Sequence, residues 1–202
     1  MKLTERDISI LKFINDCGYC LTPHLMSYLS VKQWRIYQIM KRLVIKKLVV
    51  KEYLLHGKPL LYYLTKEGAS FTDLPPLDNV SQGTYQHQVT MIDVILKLMS
   101  IYSDAVWISE RHLLNDQCQD GIGKRGHVAD GMLFLSDGKK IAIEVELSVK
   151  GKRRIEGILQ SYASQSDIRE VWYFCSKSAY AVLSKTINKP YIKLFSIEEF
   201  LA

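Results

Sequence analysis

The stretch His127 to Glu146, HVADGMLFLSDGKKIAIEVE, constrains the fold of this chain more than any other. Its halves, VADGMLFL and KKIAIEVELS, are short runs of apolar and β-branched residues, and the Ser-Asp-Gly between them is turn chemistry, so a β-hairpin is predicted. Side chains alternate faces along a strand, so Glu144 and Glu146 share one side while Ile143 and Val145 share the other. An antiparallel pairing that turns at Ser136 to Lys139 brings Asp130 opposite Glu144 to Glu146. Like charges this close repel, and burying them unpaired is costly, so a cation among them makes the arrangement sensible. Hard oxygen ligands suit Mg2+ or Mn2+. The plainer alternative is the solvated face of an amphipathic strand.

The segment SVKGKRRIEGILQSYAS follows, with a basic helix start, an apolar stripe of Ile155, Ile158 and Leu159, and then Gln160 and Tyr162. Beyond it EVWYFCS reads as a buried strand, SAYAVLSKTI as a helix, and YIKLFSIEEFL as a last strand and cap. Upstream, Tyr85 to Tyr102 is an amphipathic helix and AVWISERHL a strand. From Tyr85 onward the order is α-β-β-β-α-β-α-β, which predicts a mixed sheet flanked by helices. The polar loop Asn115 to Gly126 carries Lys124 and Arg125. It lacks the spacing of a phosphate loop and reads as a segment that reaches a DNA backbone, or as a simple surface loop.

The formal net charge is +6, and its distribution matters more than its size. Residues 1–72 hold 12 Lys and Arg against 5 Asp and Glu, while residues 73–202 hold 15 against 16. A localised basic surface points to a polyanion, most commonly nucleic acid. Helix one starts at Thr4, an N-cap with Asp7 three residues on, and a second helix, TPHLMSYLS, carries proline in its first turn. A third is predicted from Lys32 to Lys47, with Ile36, Met40, Leu43 and Val44 inward. Lys32, Arg35, Gln38, Lys41 and Arg42 are the DNA-binding candidates of that helix, the last four on its outer face. VVKEYLLHGKPLLYYLTKEG then reads as two strands around His56-Gly57-Lys58-Pro59, with Lys58 at the tip. Three helices and a hairpin make a winged helix-turn-helix, whose third helix enters the major groove.

DLPPLDNVSQG, with adjacent prolines and no periodicity, reads as a linker within residues 73–85 between a domain of 1–72 and one of 86–202. No run of about 18 apolar residues exists, and MKLTERDIS lacks a signal-peptide core, so no membrane span and a cytoplasmic address are expected. Cys17-x-x-Cys20 with His24 nearby lacks a second ligand pair for zinc and reads as buried apolar thiols.

An Asp, then Glu-x-Glu on the next strand, then a helix ending in Gln-x-Tyr resembles the PD-(D/E)XK restriction-endonuclease-like superfamily. In that superfamily this core binds the metal that cleaves DNA. The resemblance implies catalytic roles for Asp130, Glu144, Glu146, Gln160 and Tyr162, with the three acids as metal ligands. Glu146 stands where the superfamily usually has lysine, so Lys150 is the first candidate for the missing cation, with Lys152 and Lys140 behind it. Leu-Thr-x-x-Asp near the start, YYLTKEG at the end of the wing, and HVADG followed by EVE resemble the replication-relaxation family over the whole chain. That family includes MobC-type plasmid mobilisation relaxases. The expectation is an α/β (α+β) protein that nicks double-stranded DNA at a plasmid or mobile-element transfer origin, with room for a homodimer and for other mobilisation proteins as partners. The alternatives are a non-catalytic DNA-binding accessory protein of replication or mobilisation, or a restriction-like defence nuclease.

Overall fold

The computed structural model describes residues 2–54, 57–119 and 127–202. The protein is mixed α and β with two sheets, and it divides into two compact units, Met1–Ile92 and Asp93–Ala202.

The first unit begins with α1 (Glu5–Asp16), capped as its sequence predicts: the Thr4 hydroxyl accepts from the Asp7 backbone N–H, and the Asp7 carboxylate accepts from the Thr4 N–H. β1 (Tyr19–Leu21), α2 (Thr22–Leu29), α3 (Gln33–Ile45), β2 (Val49–Glu52), β3 (Leu61–Leu64) and the short α4 (Lys66–Ala69) follow. The three strands form an antiparallel sheet in the order β1-β3-β2. Ile10, Leu11, Ile14, Leu25, Ile36 and Leu43 are wholly buried, one stripe from each of the three helices, at the 3.6-residue period of core-facing positions.

Residues 73–84 contain no helix or strand, in keeping with the adjacent prolines, yet they are not detached. Leu74 is buried, its carbonyl accepts from the Asn15 side chain at 2.8 Å, and Leu77 and Val80 pack against the cluster of Tyr19, Leu21, Leu61 and Tyr85. α5 (Tyr85–Ile101) starts on this cluster, and the division between the units falls inside it.

The second unit holds β4 (Val106–Ser109), α6 (Glu110–Gln119), β5 (Gly131–Phe134), β6 (Lys140–Glu146), α7 (Lys152–Ala163), β7 (Glu170–Cys175), α8 (Lys177–Thr186), β8 (Ile192–Ser196) and α9 (Ile197–Leu201). The strands make one sheet in the order β4-β5-β6-β7-β8, antiparallel from β4 to β6 and parallel from β6 to β8. Parallel neighbours need a crossover, and α7 and α8 supply the two. Ile155, Ile158 and Tyr162 of α7 and Ala179 and Leu183 of α8 close over Ala142, Val171, Tyr173 and Cys175 of the sheet. α6 differs from the sequence reading, which ran a strand through Ser109-Glu110-Arg111 and a loop from Asn115. The strand stops because the Ser109 hydroxyl accepts from the His112 N–H, a helix cap.

The β5–β6 hairpin fixes the site. Gly138 takes φ +82° in the turn, the left-handed conformation that glycine adopts without cost, and Gly131 pairs with Ile143. A Cβ on Gly131 would stand 2.0 Å from the Trp107 ring, so the glycine after Asp130 lets β4 close on β5.

Candidate active site in the second unit

β6 is buried along nearly its whole length, and alternation sends Ala142, Glu144 and Glu146 to the face covered by α7 and α8. Glu144 is 1% exposed and Glu146 4%, which removes the solvated-strand alternative. Buried carboxylates need partners, and the two buried glutamates have them, as does the part-buried Asp130. Asp130, one step before Gly131 and therefore level with Glu144, accepts the Val145 N–H at 2.7 Å. Glu144 Oε1 contacts His127 Nε2 at 2.5 Å and accepts the Tyr162 hydroxyl. Glu146 Oε2 lies 2.6 Å from Lys150 Nζ.

The electrostatics separate Glu144 from its neighbours. Burial pushes its carboxyl above the usual carboxylate range and the nearby Asp130 charge pushes the same way, while His127 and Tyr162 oppose. Burial and then Glu144 raise the Tyr162 phenol, so it remains a donor. Parallel register sets Tyr173 beside Glu144 and Cys175 beside Glu146. Burial, then Glu144 and Glu146, raise the Tyr173 phenol; burial and then Glu146 push the Cys175 thiol up to about 12, with Lys150 opposing.

The fold thus brings together Asp130, Glu144, Glu146, Lys150 and Tyr162. Gln160 differs: it is exposed on the outer side of α7, because two residues along a helix turn the side chain about 200° away from Tyr162. Lys140 pairs with Asp167 at 3.0 Å, and the Lys152 side chain is outside the described ones. His127 and Tyr173 are site residues that the sequence reading left out. The alternation of Val171, Tyr173 and Cys175 was a signal for the second, hidden by the uniformly apolar look of EVWYFCS.

Asp130 and Glu144 offer hard oxygen donors next to each other, and Glu144 carries an unfavourable charge there. That fits Mg2+, which often takes only one or two carboxylates and completes its shell with water and substrate phosphate. Glu146 is turned to Lys150, so the acids make a pair with a flanking ion pair. Among the described residues, no group of three or more His, Cys, Asp and Glu is arranged to hold a metal. A cavity of about 520 Å³ opens beside His127 and Tyr162, with Asp116, Met132, Phe134 and Gln165 in its walls.

In the first unit, Lys32, Arg35, Gln38 and Lys41 are exposed on α3, and Lys58 is exposed between β2 and β3. Arg35 Nη1 donates to Gln38 Oε1 at 3.1 Å. Arg42 departs from the expected outer face. It pairs with the buried carboxylate of Asp7, because position 42 flanks Leu43 and lies one turn from the buried Ile39. Lys124, Arg125 and His56 lie outside the described residues. Cys17 and Cys20 are buried, as expected of apolar thiols, and His24 Nδ1 accepts the Leu21 N–H at the start of α2, so that histidine acts as a helix cap. No helix among the described residues is long and apolar enough to cross a membrane. Comparison of the chain with protein-family models, with curated proteins and with solved structures returned no match.

Proposed function

We propose that this is a metal-dependent DNA-nicking protein, with a winged helix in the first unit and a PD-(D/E)XK nuclease-like domain in the second. The observation that carries the reading is the pairing of the part-buried Asp130, just before β5, with the buried Glu144 of β6, with Lys150 Nζ 2.6 Å from Glu146. A chain gains nothing in stability from crowding acids in its interior; a site that must attract a cation does.

Asp130 and Glu144 would hold Mg2+ or Mn2+, which when bound supplies a Lewis acid for the scissile phosphate and its attacking hydroxyl or water. His127 and Tyr162 fix the orientation of Glu144, as the outer partners of metal ligands do. Lys150 neutralises Glu146 and has further N–H donors for a phosphate oxygen. The exposed Arg35, Gln38 and Lys41 of α3 suit backbone and base-edge contacts in a major groove. A relaxase of the replication-relaxation type at a plasmid or mobile-element transfer origin is the role that combines both units.

A second reading is favoured by the same contacts: each acid is already satisfied within the protein, as in a scaffold that binds DNA without cutting it. Nicking of supercoiled plasmid carrying the cognate origin separates the two, with Mn2+ binding followed by calorimetry. The nickase reading expects Glu144→Gln to lose activity by about 10²-fold or more, the scale of one electrostatic contact to a transition state, with the fold retained. Equal nicking by both proteins, or no heat of Mn2+ binding to the wild type, would leave the binder.

A further inference from the structure

A groove of about 610 Å³ lies in the first unit between α3 and the β2–β3 hairpin, within the roughly 300–1,000 Å³ range of ligand sites. Its floor is apolar: Met40 and Tyr62 are each 2% exposed, with the part-buried Leu60 and the exposed Pro59 at its edge. Its rim is different. Tyr37 from α3 is 47% exposed and Tyr53, just past β2, is 72% exposed. The two rings border one groove, so they form part of a patch and are not scattered single side chains. The Gln33 side chain donates to the Tyr37 hydroxyl at 2.7 Å, which holds one ring in place on the helix.

The charge has one sign. Lys41 from α3 and Lys51 from β2 line the groove, both are exposed, and among the described residues its lining contains no Asp or Glu. Open aromatic rings between lysines on an apolar floor match the chemistry of single-stranded nucleic acid, in which bases stack on rings and phosphates lie along cations. In a duplex the base faces are already stacked and only the edges are offered. We propose that this groove binds an unpaired stretch of DNA, with bases on Tyr37 and Tyr53 and the backbone along Lys41 and Lys51. The proposal rests on the reading of the first unit as a DNA-binding domain and adds to it a preference for melted strand.

The test uses the full-length protein with a labelled short oligothymidine and a labelled short duplex, by anisotropy at one salt concentration. The wild type should bind both. Tyr37→Ala and Tyr53→Ala should each weaken the oligothymidine complex about tenfold, the scale of one lost base stack, and change the duplex complex by less than about twofold. Tyr37→Phe and Tyr53→Phe should restore binding, because stacking needs the ring and not the hydroxyl. Lys41→Ala with Lys51→Ala should flatten the salt dependence of oligothymidine binding. Equal losses of the two tyrosine-to-alanine variants on both DNAs, their unchanged oligothymidine binding, or binding of duplex alone by the wild type would each overturn the groove proposal while leaving duplex recognition standing. Binding of neither DNA would remove the DNA-binding reading itself.

Discussion

Asp7 in the first unit and Glu144 in the second are both 1% exposed, and the protein treats them in opposite ways. Burial pushes the Asp7 carboxyl up, but hydrogen bonds from the Thr4 backbone and hydroxyl, together with Arg42, hold it below the usual range. Glu144 has two partners and still sits above that range, because burial and Asp130 outweigh them. Asp7 is a charge that the fold completes with a cap and a cation, tying α1 to α3. Glu144 is an acid whose ionised form the fold disfavours. The difference separates an acid that stabilises from one that the nickase reading puts to use.

The largest effect that would test this contrast is on stability. Asp7→Ala removes the acceptor of the Thr4 N–H and leaves the half-buried Arg42 without its carboxylate, while the backbone N–H at position 7 keeps its bond to the Thr4 hydroxyl, so urea unfolding should report a loss of about 2–3 kcal/mol. Glu144→Gln keeps shape and hydrogen-bonding capacity while it removes a repelled charge, so its midpoint should stay or rise. A Glu144→Gln loss as large as that of Asp7→Ala would make the two acids equivalent and end the comparison.

A smaller effect separates Arg42 from the arginine one face over. Arg42→Ala should cost about 1–2 kcal/mol of stability through the stranded Asp7, whereas Arg35→Ala should stay within about 0.5 kcal/mol. On duplex DNA the ranking should reverse, with Arg35→Ala lowering the slope of log affinity against log salt by roughly 0.9 and Arg42→Ala leaving it alone. A reduced slope for Arg42→Ala would put that side chain back on the binding face.

The contrast also marks what a sequence can display. The Thr4 and Asp7 spacing was legible as a cap because both partners lie in one turn. The second role of Asp7 was not, since its cation is 35 residues away on another helix. The hairpin and the shared face of Glu144 and Glu146 followed from a period of two and a turn. Which acid would gain Lys150 and which would gain His127 depends on how α7 and the segment before β5 close over the sheet, and no local pattern encodes that. β1 was invisible for a related reason: three residues with no alternation are a strand only because β3 offers them an edge. Residues 73–84 taught the opposite lesson. Adjacent prolines exclude helix and ladder, but they do not prevent Leu74, Leu77 and Val80 from packing.

The smallest effect lies in how stability changes with pH. For Asp7, whose folded pKa is lowered, the stabilisation is complete above the unfolded carboxylate value and fades as pH falls through the folded one. For Glu144, whose folded pKa is raised, the folded state keeps a proton that the unfolded chain has already lost. Stability contributed there must therefore fall as pH rises from the unfolded value through the raised one, and the penalty stays in place at neutral pH. Melting temperatures of wild type and Glu144→Gln, taken from mildly acidic to neutral pH, should diverge with the variant ahead at the top of the range. Saturating Mn2+ should close the gap by stabilising the ionised wild-type carboxylate and should do nothing for the variant, because a neutral amide is a poorer ligand for a hard cation. Parallel melting curves across the range would mean that His127 and Tyr162 already satisfy Glu144 as fully as Arg42 satisfies Asp7, and the two regions would then differ in nothing but position.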